Sequence, residues 1–280
     1  MLRLGTIRPS VPPRAHVQTE AATPRHHVPA SLVRAQLLGA AAAGIDTALL
    51  AGRAGCPDPF TETTARIPID AFARLIRLTW DTLGCEAAGF TASPVRPGLF
   101  NMMCHATISC PNLRRALMRS SRFYALVQEE IGFELMERGD EAQLLIRHRN
   151  LRGLDDRGFI ESLMVIWLRW SSWLIGREVL PDRILFAGSP GEYRESYAAM
   201  FPCEHYFGTG ENRVVFAARY LDAPLLPSPA ELTDFLASAP QSLMRRYIEE
   251  PSVATQVRRL VRRRETSRRS RSMRPQVRWR

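Results

Sequence analysis

The stretch IGFELMERGDEAQLLIRH, residues 131–148, decides how the rest of the sequence is read. Before it, apolar residues recur at spacings of three and four. Within it they alternate, on both sides of Arg138-Gly139-Asp140. Alternate side chains of a strand share one face, so this pattern broken by a glycine turn predicts a β-hairpin. The chain therefore turns here from a helical half to one that mixes strands and helices.

Upstream, SLVRAQLLGAAAAG (31–44) reads as a helix from Pro29 that carries Leu32, Gln36 and Leu37 and stops at Gly44. A second helix follows Pro68, with Ile69, Phe72, Ile76, Trp80 and Leu83 on one face. A third begins near Pro111, a residue suited to the first helical position, with a face of Leu113, Leu117, Ser120, Tyr124 and Val127. Downstream, the longest helix spans roughly 156–178. After it come a short strand RILFA (183–187), a helix YRESYAAMF (193–201) behind the capping box Ser189-Pro190-Gly191-Glu192, and a strand RVVFAARYL (213–221). A second capping box, Ser228-Pro229-Ala230-Glu231, opens another helix, and SVATQVRRLVRRR (252–264) keeps Val253, Val257, Leu260 and Val261 on one side. There is no regular βαβ alternation. The expected class is α+β, a helical N-terminal half followed by a small, mostly antiparallel sheet packed with helices.

Charge divides the chain differently. From Arg258 to Arg280, eleven Arg and one acid (Glu265) sum to +10, the entire formal net charge. The other 257 residues balance 27 Arg against 27 Asp and Glu, and no Lys occurs anywhere. The expected organisation is a flexible lead-in (1–28), a folded body (29–250), a helical linker (251–264) and an arginine-rich tail (265–280) too poor in apolar residues to form a core. Prolines at 9, 12 and 13 interrupt the N-terminus where a secretory signal needs an apolar run, and Leu163–Leu168 is the most apolar segment. It falls far short of the ~20 residues a membrane helix needs. The five cysteines are odd in number and irregularly spaced, which reads as reduced thiols in a cytoplasmic protein.

No enzyme motif is present: no G-x-S-x-G, no phosphate-binding P-loop, no H-E-x-x-H. Gly208-Thr209-Gly210 lacks a third glycine and reads as a turn. Cys104, His105 and Cys110, and separately Cys203 and His205, lack the paired spacing of a zinc site and read as structural residues. No cofactor is expected. Trp167, Trp170 and Trp173 recur every three residues on the long helix. The plainer reading is a core stripe; the functional one is the aromatic wall of an apolar ligand pocket, joined by Phe123 and Tyr124 of the preceding helix. A body with few candidate buried charges suits an apolar or uncharged ligand. The tail arginines, among them Arg258, Arg259, Arg262, Arg263, Arg264, Arg268 and Arg269, would bind phosphates without sequence preference.

From about Leu32 to Leu226 the chain resembles the N-terminal, arabinose-binding-type domain of AraC/XylS-family bacterial transcription regulators. The resemblance runs through Gly44-Ile45-Asp46, Ala65-Arg66-Ile67-Pro68, Leu83-Gly84 and Pro97-Gly98-Leu99-Phe100. It continues through Ser109, Leu113, Ala116 and Leu117, then Arg122-Phe123-Tyr124, Tyr197, Phe201, Phe207, Asn212 and Phe216, and closes on Leu221-Asp222-Ala223-Pro224-Leu225. Asn101 departs from it where the family more often has a second glycine, and an altered turn is expected there. The resemblance implies a non-enzymatic domain that senses a small-molecule effector and pairs with itself or with a full-length relative. In such regulators two helix-turn-helix units follow; here the resemblance stops near Arg264, and sixteen aperiodic residues are too few for even one. The expectation is a truncated regulator that cannot read DNA sequence by itself. Its alternative is a non-specific nucleic-acid-binding protein acting through the arginine tail.

Overall fold

The computed structural model of the chain describes residues 27–240, apart from 191, 194 and 195, together with Leu243. The arginines from Arg258 onward, the expected linker and almost all of the expected lead-in lie outside the described residues.

The hairpin forms where the period of two placed it. Strands β3 (Ile131–Arg138) and β4 (Glu141–His148) pair antiparallel from Ile131↔His148 to Arg138↔Glu141. Only Gly139 and Asp140 remain as the loop, and Gly139 takes the positive φ of 59° that such a tight turn requires. With β5 (Pro181–Leu185), β6 (Glu204–Tyr206) and β7 (Asn212–Ala217) they form a five-stranded sheet in the order β3-β4-β7-β5-β6. All its pairings are antiparallel except β5 with β6. The expected α+β class is the one observed.

The two faces of this sheet differ chemically. Phe133, Leu144, Ile146, Val214, Phe216 and Ile184 share the inner face and belong to the main apolar core. On the outer face Arg147 reaches Glu134 at 2.5 Å, Arg183 grips Glu141 through two hydrogen bonds of 2.8 Å, and Arg213 donates to Gln143 at 2.8 Å. Leu145 and Val215 lie among these pairs and are nevertheless buried, as happens when long arginine stems lie across apolar neighbours.

The helices cover the inner face and extend beyond it. They are α1 (Ala30–Ala42), α2 (Thr47–Ala54), α3 (Ile69–Leu83), α4 (Leu99–Thr107), α5 (Leu113–Val127), α6 (Arg157–Leu174), the single turn α7 (Tyr197–Met200) and α8 (Pro229–Ala237). Helix α6 lies over the sheet, with Trp167 packed against Phe133 at 4.5 Å between ring centres and Tyr124 of α5 beside Phe133 at 5.0 Å. A two-stranded ribbon, β1 (His27–Pro29) with β2 (Arg66–Pro68), ties the start of α1 to the start of α3. Gly39 of α1 presses directly on the turn at Gly89. A Cβ on Gly39 would stand 2.5 Å from the Ala88 carbonyl oxygen, so only glycine allows that approach.

Several expectations are corrected. His27 and Val28, at the end of the expected flexible lead-in, pair with Pro68 and Ile67. Helix α5 starts after Pro111, with Asn112 as the cap whose side chain accepts the Arg115 N–H at 3.0 Å. Behind the Ser189–Glu192 box the described residues 192 and 193 form a turn, the Glu192 carboxylate accepts from Arg34 at 2.5 Å, and α7 begins at Tyr197. The strand expected to reach Leu221 ends at Ala217, where a 3-10 turn (Ala218–Tyr220) takes over. Asn101 lies not in a turn but in the first turn of α4. By contrast, the Ser228–Glu231 box is formed in both directions.

Candidate functional site

The sequence brings five helices to one cavity. Helix α3 is amphipathic and stops at Gly84, whose φ of 59° turns the chain back across the helix end. Arg77, Trp80 and Asp81, one turn apart on its last stretch, face that end and line the cavity with Glu86 and Ala87 beyond the turn. Gly98 starts α4 with a φ of 96°, and Phe100 and Asn101 follow it into the lining. Helix α6 contributes Phe159, Leu163, Ile166 and Trp167, a single face by helical spacing. Tyr124 of α5 and Ile131 of β3 close the far wall, while Leu236 of α8, Ala239 and Leu243 cover the remaining side. The cavity volume is about 220 Å³. A dry cavity of roughly 150 Å³ already accepts benzene, so there is room for a ring with a short substituent.

The walls are aromatic and aliphatic, and the charges are unevenly placed. Arg77, Asp81 and Asn101 are exposed and form the mouth, whereas Glu86 is half-buried. Its carboxylate accepts the backbone N–H of Gly98 at 2.7 Å and of Phe100 at 3.1 Å. Burial raises its pKa above the usual carboxylate value, and those two amides and the Arg77 charge oppose the rise. Tyr124 is 8 % exposed, and its hydroxyl makes no hydrogen bond among the described residues. Its pKa is pushed up by burial first and then by the nearby Glu86 charge.

Of the five aromatic residues expected at a ligand site, the structure brings Trp167 and Tyr124 together in this lining. Trp170 and Trp173 lie further along α6, past the end of the cavity. Trp170 is 0 % exposed, stacked on Trp173 at 5.3 Å with Phe235 of α8 at 5.7 Å and Phe100 at 6.0 Å. Its indole N–H has no partner among the described residues. Phe123 packs edge-on against Tyr124, outside the lining. The sequence reading missed Glu86, Trp80, Phe100 and the α8 segment. Trp80 was legible as part of an apolar stripe, but Glu86 follows a turn that no periodicity marks.

Few charged side chains are buried among the described residues, and the two carboxylates that are, Glu130 and Glu161, do not line the cavity. Glu130 is buried and accepts the backbone N–H groups of Ala92 and Ser93 at 2.9 and 2.8 Å. Glu161, on the face of α6 turned away from the cavity, is 1 % exposed and accepts the hydroxyls of Tyr193 at 2.7 Å and Tyr197 at 2.5 Å. Burial outweighs those bonds and carries its pKa to about 7.

Cys85, Cys104 and Cys110 are buried and reduced, and Cys104 is held far above the ordinary thiol pKa by burial. Among the described residues no cluster of His, Cys, Asp and Glu is placed to hold a metal ion. Among the same residues, no helix is long and apolar enough to cross a membrane.

This arrangement of helices and sheet around a cavity has a counterpart among known families. The family model described as the arabinose-binding domain of AraC transcription regulators, N-terminal, matches residues 44–225. The chain belongs to this family. It is a family of regulatory ligand-binding domains rather than of enzymes, and its members are AraC-type effector-binding domains that act in transcription regulation. The matched segment supplies α3 to α6 and the whole five-stranded sheet, while α8 lies beyond its end. A search of curated proteins finds no match.

Proposed function

We propose that this chain is the effector sensor of an AraC-type regulator, and that its effector occupies the cavity between α3, α4, α5, α6 and α8. The observation that carries this reading is the cavity itself. It is largely apolar, its wall holds a tyrosine hydroxyl with no hydrogen-bond partner among the described residues, and its charges gather at one end. That combination of an apolar body with few convergent polar groups is the ordinary make-up of a small-molecule site.

Sensing also needs a wall that responds to occupancy. Leu236, Ala239 and Leu243 line the cavity from α8 and the residues just after it, so a ligand there would touch the part of the domain that lies beyond the family match. Helix α8 is held by the Ser228–Glu231 capping box and by Phe235 stacked on Trp173 at 4.5 Å. Occupancy that shifts α8 is the proposed output. Pairing with a second copy is proposed with it from the family likeness.

The test is a thermal-shift screen of the purified chain against small metabolites, with hits repeated on Leu163→Trp, which fills the cavity. Hits that stabilise the wild type and not the filled variant support the cavity as the effector site. Hits that stabilise both equally place the ligand elsewhere.

A further inference from the structure

The charges of the cavity are sorted by depth, and this sorting points to one ligand chemistry. Arg77 and Asp81 at the mouth are exposed and well solvated. Glu86 is the one charged lining residue, among those described, that is withdrawn from solvent. An ionised carboxylate has about four lone-pair sites. The Gly98 and Phe100 amides use two and favour the anion against the burial that raises its pKa, leaving acceptor capacity free. The same cavity is lined by Trp80, Phe100, Tyr124, Phe159 and Trp167. Aromatic faces are electron-rich and attract an organic cation, the more strongly when it is desolvated. A ligand anion would meet the opposite: π faces, and a carboxylate in a medium that screens it poorly.

We propose that the effector is a small organic ammonium compound, with its cationic head near Glu86 and its apolar part lying along α6. This rests on the cavity being the effector site. Glu86 acts as the counter-ion, the aromatic walls hold the apolar part, and the Tyr124 hydroxyl is the second polar contact. Arg77 at the mouth works against a cation, so it sets selectivity rather than affinity.

Three nearly isosteric probes separate the possibilities by calorimetric titration of the full chain: 3-phenylpropylamine (cation), 3-phenylpropan-1-ol (neutral) and 3-phenylpropanoate (anion). The amine is expected to bind at least tenfold more tightly than the alcohol, with the carboxylate weakest. Glu86→Gln should bring amine and alcohol within about twofold, by weakening the amine alone. Arg77→Gln, whose side chain makes no hydrogen bond or ion pair among the described residues, serves if the Glu86 variant unfolds; it should strengthen the amine. Equal binding of all three, each lost in Leu163→Trp, overturns the ammonium proposal and leaves the cavity reading standing. Tightest binding of the carboxylate, lost in Arg77→Gln, overturns it in favour of an anionic effector. Amine binding that survives Leu163→Trp unchanged, or no binding of any probe, counts against the cavity as well.

Discussion

The Glu86 carboxylate accepts the backbone N–H of Phe100 at 3.1 Å, and both residues line one cavity. A single side chain thus anchors the start of α4 to the turn after α3 and sets the charge of the site. Hydrogen bonds to an ionised group contribute about 1.5–3 kcal/mol each, and both amides lose their acceptor in Glu86→Ala. That variant is expected to lose about 2–4 kcal/mol in urea unfolding, with Glu86→Gln losing less because it keeps one acceptor oxygen.

Glu161 gives stability a pH dependence. Its folded pKa of about 7 lies above the ordinary carboxyl value of 4.5, so the folded chain holds a proton that the unfolded chain releases. This contribution is fully present below pH 4.5 and is lost as the pH rises through about 7. The groups that face it are the hydroxyls of Tyr193 and Tyr197, with the charges of Arg157 and Asp155 nearby. Wild type should therefore weaken relative to Glu161→Gln by roughly 2–3 kcal/mol between pH 5 and pH 8. Urea midpoints of the two proteins at both pH values check this; a gap that stays constant would show that Glu161 does not titrate in that window.

Gly39→Ala tests the contact between α1 and the Gly89 turn. The new methyl would meet the Ala88 oxygen at 2.5 Å and the Phe90 nitrogen at 2.7 Å, backbone atoms that cannot swing aside. Overpacking of this kind typically costs about 1–3 kcal/mol, more where backbone must move. The denaturation midpoint should fall with the slope unchanged.

The fold was legible where periodicity is clean, and the site was only half legible. Residues 131–148 showed their hairpin because alternation and a glycine turn agree, and Ser228 to Glu231 showed their cap because the motif is local. The short elements escaped. Helix α2 is eight residues held by Asp46 accepting the Leu49 N–H, and β1 needs β2, some forty positions away, before it exists as a strand. The tryptophan stripe lies on a helix that lines the cavity, but it could not reveal where along α6 the cavity ends. That boundary is set by Phe235 from α8, which covers Trp170 and Trp173 and leaves Trp167 to the cavity.

Trp170 accordingly behaves as packing in this structure. Trp170→Ala removes a fully buried ring from between Phe100, Trp173 and Phe235, and a loss of about 3–5 kcal/mol is expected. Trp170→Phe should be far milder, because the indole N–H it removes has no partner among the described residues. Thermal unfolding of both variants provides the comparison.

Tyr124→Phe should leave the free domain within about 0.5 kcal/mol of wild type, since no hydrogen bond is lost. The same change is expected to weaken the bound effector about three- to tenfold. A large loss of stability without ligand would mean that the hydroxyl has a structural partner.

The most direct test of the cavity as the effector site is the ligand-induced rise in melting temperature of wild type beside Leu163→Trp. A ligand at a hundredfold excess over its Kd adds about 2.7 kcal/mol, or roughly 5–10 °C for a domain of this size. The expected result is a rise of that order in wild type and none in the filled variant. An equal rise in both proteins would contradict the assignment.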